Sequence, residues 1–554
     1  MNAIREGGVR ICPMVYCKAD NYMLIGRSEL KGDLMSTTTG TAERVGFFNR
    51  KNTIAPLGYN RWLIPPAALA VHLCIGQAYA TSVYKSSLVE HFNASQTEIG
   101  IIFSIAIVML GSSAAVLGTW VDRQGPRKAM FASLLCWVSG FLVAALGIAT
   151  SQLWLVYLGY GVIGGIGLGI GYISPVSTLM KWFPDRPGLA TGMAIMGFGG
   201  GAMVASPLSR QLMTMYDPSY DPTAKGSVAD GQALTLLFVS LAVIHALVMS
   251  IGVFNIRIPH PEWKPEGWTP PKKSEKSMIT SASVSAKKAI RTPQFWLLWV
   301  MLFTNITAGI GILEQAAPMI TDFFRVDGES LVPTAAAVGY VGLLSLFNMG
   351  GRFVWSSLSD KIGRKPIYMM YLGVGIVMFL LLAFAGHLHI ALFVLFSAIA
   401  ISFYGGGFAT IPAYLRDMFG TFEVGAIHGR LLTAWSAAGV AGPLIVNGVL
   451  DARGEPGAMT AADYQPALLT MVGLLAVGFV ANLLVKSVHE RYHEPEDKVR
   501  ERLEALNGRG DERGGANQAL PGTARVVISW LVVGGLLAYG VIMTLITAAQ
   551  LFVS

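Results

Sequence analysis

The sequence predicts an all-α polytopic membrane protein: two six-helix bundles and one extra C-terminal transmembrane helix. Three observations carry this reading. Apolar stretches recur thirteen times along the 554 residues, each near the roughly 20 residues that cross a hydrocarbon core of about 30 Å. Only 13% of the chain is charged and 53% is hydrophobic, whereas soluble domains run at about 25% charged. A short charged turn also appears twice, at the same place in each half.

Residues 1–60 are polar and without hydrophobic periodicity, and no apolar signal-type segment precedes Arg61. They read as a cytoplasmic N-terminal tail, with Met35 as an alternative start. The first bundle, 61–257, holds spans at 62–84, 98–120, 129–149, 153–176, 189–212 and 233–256. Residues 258–292 (containing PEWKPEGWTPPKKSEKS) are rich in Pro, Lys and Ser and form a solvated cytoplasmic linker. The second bundle, 293–487, holds spans at 294–320, 334–358, 367–387, 389–414, 427–449 and 466–486. A second cytoplasmic linker, 488–524, spaces Val499, Leu503 and Leu506 as a short amphipathic helix at the cytoplasmic surface. The additional transmembrane helix lies in 525–554, with its span at 525–551; Gly534, Ala538 and Gly540 offer a small-residue face to a helix partner.

Charge sets the orientation. Lys and Arg gather after spans 2, 4, 6 and 8, and acids such as Asp217, Asp322 and Asp451 occupy the opposite loops. The N-terminus is therefore expected in the cytoplasm and the C-terminus outside, in a cell membrane (the inner membrane of a bacterial source). The formal charge of +8 is scattered through short loops, so it points to the bilayer and excludes nucleic acid as a partner. Cys12, Cys17, Cys74 and Cys136 make no metal-ligand spacing and no disulfide framework. The glycine-rich run at 159–171 lies inside a span with no preceding strand and no GK[ST], so it reads as helix packing, with no nucleotide cofactor.

The second half contains GYVGLLSLFNMGGRFVWSSLSDKIGRKP, Gly339 to Pro366, with Arg352 inside an apolar span. Eight helical residues put it about 12 Å deeper than Asp360. Arginine cannot shed its proton there, and a cation at mid-bilayer costs about 2.5–3.5 kcal/mol on insertion scales, which marks an ion or substrate path. Ser345, Asn348, Ser356 and Ser359 share its face. Its structural alternative is an arginine paired with a carboxylate, Glu314 being the candidate, or with backbone carbonyls.

The charged turns read Gly118-Thr-Trp-Val-Asp122-Arg123-Gln-Gly125-Pro-Arg127-Lys128 and Ser356-Ser-Leu-Ser-Asp360-Lys361-Ile-Gly363-Arg364-Lys365, 238 residues apart from Asp122 to Asp360. This repeat resembles the hallmark loop of the major facilitator superfamily, with Ser356 in place of the glycine. The stretches 61–88, 165–202 (with the run Lys181 to Asp185) and 405–420 resemble the oxalate/formate antiporter family more narrowly. The resemblance spans about 60–487 and implies the major facilitator fold and a secondary carrier of small carboxylates. It maps the carboxylate-binding arginine onto Arg352, and it puts Trp435 where oxalate-exchanging members have a second cation, a lysine. One fixed cation suits a monoanion such as formate, pyruvate or lactate.

Within that frame Arg352, Tyr404, Trp435, Gln77 and Tyr79 are the candidate substrate ligands, with Tyr84 and Tyr172 as further donors. Glu314 and Lys85 are candidates for coupling or ion pairing. His72 and His245 read as packing residues, with a proton relay through His72 as the alternative. The loop residues Gly118, Asp122, Arg123, Gly125, Arg127, Asp360, Lys361, Gly363 and Arg364 are expected to latch one conformational state, aspartates at helix N-termini and basic residues at the opposite bundle or anionic lipid. The expected activity is anion exchange or proton symport by alternating access, driven by a gradient. The alternatives are an oxalate:formate exchanger and, from another class, a non-transporting membrane carboxylate sensor. No enzymatic constellation appears.

Overall fold

Helix caps fix where several spans begin. Ser95 and Glu98 form a reciprocal capping box at the start of span 2, and Asp230 and Thr292 cap spans 6 and 7 through their side-chain oxygens. Pro126, Pro187 and Pro293 open spans 3, 5 and 7, where a missing N–H costs nothing. The computed structural model describes residues 46–221, 227–269, 278–280, 282–326, 329–453, 459–507 and 522–553. Cys12, Cys17, Met35, most of the expected N-terminal tail and parts of both linkers lie outside these residues.

Thirteen helices are long and apolar enough to cross a bilayer: Arg61–Val83, Gln96–Gln124, Pro126–Ala149, Leu153–Trp182, Pro187–Tyr216, Gly231–Asn255, Pro293–Phe323, Ala336–Ile362, Arg364–Leu388, Ile390–Phe419, Val424–Asp451, Ala461–Leu484 and Thr523–Ala549. They are numbered here as spans 1 to 13. Many outrun their apolar stretches because capping residues and the charged turns carry the helix past the hydrophobic limit. The chain is a multi-pass membrane protein.

The two halves pack alike. Span 1 rests on spans 5 and 6, span 3 on 6, and span 4 on 2 and 3; span 7 likewise rests on 11 and 12, span 9 on 12, and span 10 on 8 and 9. Across the halves span 5 lies along span 8 and span 2 along span 11, the same pair twice under the internal repeat. The glycine-rich run of span 4 does pack helices: a Cβ on Gly159 would fall 2.6 Å from the Ala144 nitrogen of span 3.

Span 13 docks on this core through Val533, packed with Leu69, Ala70 and Leu73, and through Gly540, packed on Met203 and Val204. Gly534 meets nothing within 4 Å. The span runs along 8 and 5 and reaches 1, so it bridges both halves. The amphipathic helix forms at Glu496–Asn507, with no fully buried residue. Val499, Leu503 and Leu506 line a cavity of about 970 Å³ at the end bearing the charged turns. Asn507 accepts from Arg50 there at 2.9 Å.

Candidate functional site

Arg352 has no exposed surface. Its Nε donates to Asn348 Oδ1, one turn back, at 3.1 Å, and Nη1 donates to the Ile195 carbonyl of span 5 at 3.4 Å. The guanidinium lies 4.9 Å from the Phe408 ring and 5.9 Å from Phe198. Nη2 has no partner, and among the described residues no carboxylate pairs with Arg352. Span 5 makes room with Gly199, where a Cβ would fall 2.7 Å from Nε. A buried charge left this short of partners is costly unless something else completes its shell.

Aromatic side chains from both halves close around it. Tyr172 of span 4 contacts Phe198 and Phe408 at 5.5 and 5.6 Å, and Trp435 of span 11 contacts the same two rings at 5.3 and 4.6 Å. Tyr79 of span 1 meets Phe198 at 5.2 Å. Its hydroxyl and that of Tyr404 in span 10 interact electrostatically with each other and with Arg352. The Tyr172 hydroxyl and the Trp435 indole nitrogen are buried without a hydrogen-bond partner, and the buried hydroxyls of Tyr79 and Tyr404 face each other. Arginine and tryptophan can only donate, and each phenol can donate as well as accept, so the cluster is rich in donors. A small anion with two oxygens is the chemical complement.

The backbone is irregular where it lines this cluster. Span 1 tightens from α-helix to 3-10 helix at Gly76–Val83, where Gly76 is so close to span 5 that a Cβ would lie 2.4 Å from the Phe198 carbonyl oxygen. Span 11 breaks at Leu432, between a helix Val424–Leu431 and a second, Thr433–Asp451. Such breaks inside a bilayer are tolerated where protein or a cavity surrounds them.

The structure thus brings Arg352, Tyr404, Trp435 and Tyr79 together, with Tyr172 beside them. Gln77 faces elsewhere: its amide donates to Tyr84 and accepts from Tyr160, at 3.0 and 3.1 Å. Glu314 does not reach Arg352; it is exposed, accepts from Asn447 at 3.5 Å and interacts with Lys85. Phe198, Phe408 and His428 escaped the sequence reading. The glycines around Phe198 and Phe408 were the available signal. His428 stands at the edge of its apolar stretch, where a polar residue reads as loop.

At the charged end Asp122 of span 2 accepts from the Ala426 N–H of span 11 at 2.9 Å. Asp360 of span 8 accepts from the Gly188 and Leu189 N–H groups of span 5 at 2.7 and 2.9 Å. Each aspartate sits at the positive end of a helix from the other half. Gly125 and Gly363 turn the chain after them at φ 87 and 95. Ser356 replaces the Gly118 of the first copy and donates to the Gly188 carbonyl at 2.8 Å; a Cβ on Gly118 would stand 2.9 Å from the Ala426 Cα. Of the basic residues, Arg364 stands against span 5 of the other half, where a Cβ on Gly188 would fall 2.7 Å from its Nη1. Arg364 pairs with Asp360 and Asp417 at 2.7 and 2.8 Å. Arg127 lies 4.3 Å from the Phe47 ring, and Arg123 and Lys361 are exposed.

The Major Facilitator Superfamily profile matches residues 67–443 and 351–554. The oxalate:formate antiporter of Oxalobacter formigenes is 26% identical over 69% of this chain and 83% of its own. Apicoplast pyruvate carrier 1 of Toxoplasma gondii is 28% identical over 56% of this chain and 62% of its own. The crystal structure of the transporter FucP in its outward conformation shares the fold at a TM-score of 0.57 and 14% identity, over 77% of this chain and 100% of that one.

Proposed function

Since the chain belongs to the major facilitator superfamily, we propose that this transporter carries small monocarboxylates such as formate, pyruvate or lactate, with Arg352 as the carboxylate ligand. One observation carries the proposal: a fully buried arginine without a carboxylate partner, its Nη2 unpaired among buried donors that include the unpartnered Tyr172 hydroxyl and Trp435 indole. One carboxylate oxygen would meet Arg352 Nη2, and the second would meet Tyr79, Tyr404 or Trp435. The names of two relatives, an oxalate:formate antiporter and a pyruvate carrier, support the substrate class.

Trp435 favours a monoanion. It supplies an indole donor and no charge, so one fixed cation faces one carboxylate. A dianion would bring an unmatched charge into a dry site. Access would alternate as the halves rock, with the Asp122 and Asp360 contacts holding the charged end shut in one state. That end is the cytoplasmic one in this reading, because the basic loops follow it.

Uptake of labelled formate, pyruvate, lactate and oxalate into proteoliposomes tests the proposal, alongside Arg352→Gln. Saturable monocarboxylate uptake that Arg352→Gln abolishes is the expected result. Absence of uptake of all four by folded protein would remove the substrate assignment.

A further inference from the structure

His72 of span 1 is fully buried, and both of its ring nitrogens face backbone carbonyl oxygens: Nδ1 that of Ala194 in span 5, Nε2 that of Tyr172 in span 4 at 3.2 Å. A neutral imidazole carries one N–H, so it can satisfy only one of two acceptors. The other nitrogen then points its lone pair at a carbonyl oxygen. Only the imidazolium donates to both. The surroundings are therefore shaped for a protonated ring.

Burial is the main force against that form, and Arg352, which interacts electrostatically with His72, adds to it as long as it lacks a counter-charge. A carboxylate on Arg352 cancels that field. From these two facts we infer that His72 is the seat of a co-transported proton, taken up when the carboxylate binds and given back when it leaves. This rests on the carboxylate reading above and decides its energy source: proton symport, with the proton at His72 and not at Glu314.

The groups around the ring fit this role. Tyr172 of span 4 stacks on it at 5.3 Å, and the same Tyr172 ring lies 5.7 Å from His428 of span 11. His428 interacts with His72, yet neither of its own nitrogens has a partner, so it offers no ready-made cradle for a second proton. Span 5 presents the Ala194 carbonyl. Span 6 turns His245 toward Trp137 and Phe141 of span 3, and span 13 spends Arg525 on Asn255. On span 1 itself Tyr79 belongs to the donor cluster. Among the described residues no acid faces His72, so an anion that neutralises Arg352 must come from outside the fold.

The cycle balances. Free carrier holds cationic Arg352 and neutral His72; loaded carrier holds Arg352, the carboxylate and the His72 imidazolium, with the same net charge. One proton and one monoanion cross together, and no charge moves.

The test uses the full chain in proteoliposomes with labelled pyruvate and a pH gradient, acid outside, at clamped zero potential. Wild type is expected to accumulate pyruvate up to about tenfold per pH unit. His72→Asn is expected to lose accumulation while exchange of pyruvate at equal pH persists at a reduced rate, and His245→Asn is expected to keep accumulating. Accumulation by His72→Asn, loss of it in His245→Asn alone, or wild-type exchange indifferent to the gradient would each overturn the assignment. If wild type neither accumulates nor exchanges any carboxylate, the carboxylate reading itself falls. A second measurement needs no variant: pyruvate added to purified protein in weak buffer should draw in about one proton per pyruvate bound, and binding without proton uptake would overturn the proposal.

Discussion

Asp122 in span 2 and Ala426 in span 11 are joined at 2.9 Å across the two halves, 304 residues apart in the chain. Asp360 repeats the contact on the first turn of span 5. Both carboxylates offset the positive end of a helix whose first N–H groups have no helical partner.

Neutralising them should open the charged end. Asp122→Asn and Asp360→Asn each lose a charge–dipole term of about 1 kcal/mol, roughly a fivefold population shift, and the double variant should lose both. Labelling of a cysteine placed at Ser436, whose hydroxyl donates to the Ile107 carbonyl across the span 2–span 11 contact at 2.8 Å, would report it as a faster rate. An unchanged rate in the double variant would show that these contacts hold nothing shut.

Arg352 separates a functional reading from a structural one. Arg352→Gln should abolish uptake and leave Tm unchanged or higher, because it removes a buried charge that lacks a counter-charge. Arg352→Lys keeps the charge but loses the planar fork, and uptake should fall at least about tenfold. A lowered Tm with uptake retained would make the residue a packing element.

Trp435 should set the charge of the substrate. Trp435→Phe keeps the ring contacts and loses one donor, weakening monocarboxylate affinity by about 1 kcal/mol, or roughly fivefold. Trp435→Lys adds a second cation, and oxalate should then compete with labelled formate where it does not in wild type. Failure of oxalate to compete would remove electrostatics as the basis of selectivity.

Span 13 should come away when its groove is filled. A Cβ on Gly339 would fall 2.4 Å from the Thr547 carbonyl oxygen, whereas on Gly342 it would meet only the Thr544 side chain at 3.2 Å. Gly339→Val should therefore lower Tm by several degrees and shift Trp530 fluorescence, whose indole donates to the Trp62 carbonyl at 2.8 Å. Gly342→Val should do less. Equal effects would contradict the observed docking.

Arg352 was legible in the sequence because its cost in a bilayer makes chance placement rare, and the charged turns because they interrupt apolar sequence twice. Their partners were not legible: nothing local to Asp360 says that it will meet Gly188 rather than lipid. Gln77 and Tyr79 show a second limit. Span 1 changes pitch at Gly76, so a constant 3.6-residue period misjudges which of the two faces Arg352. His428 shows a third, because the break at Leu432 leaves it on a short helix that hydropathy reads as a loop edge. Span 13 was visible as a span, but its groove depends on Gly339 and Gly342, glycines of another helix.

The docking of span 13 removes an equivalence that the internal repeat would otherwise impose. A twelve-span carrier of this design has two lateral seams, one between spans 5 and 8 and one between spans 2 and 11, both facing lipid. Here the first is roofed by a helix that touches both halves, and the second is bare of any such cover among the described residues. Acyl chains, detergents and bilayer-dissolved inhibitors therefore meet a one-sided molecule: a wedge driven in from the membrane has a single flank to enter by, and hydrophobic blockers of transport should photolabel spans 2 and 11 in preference to spans 5 and 8.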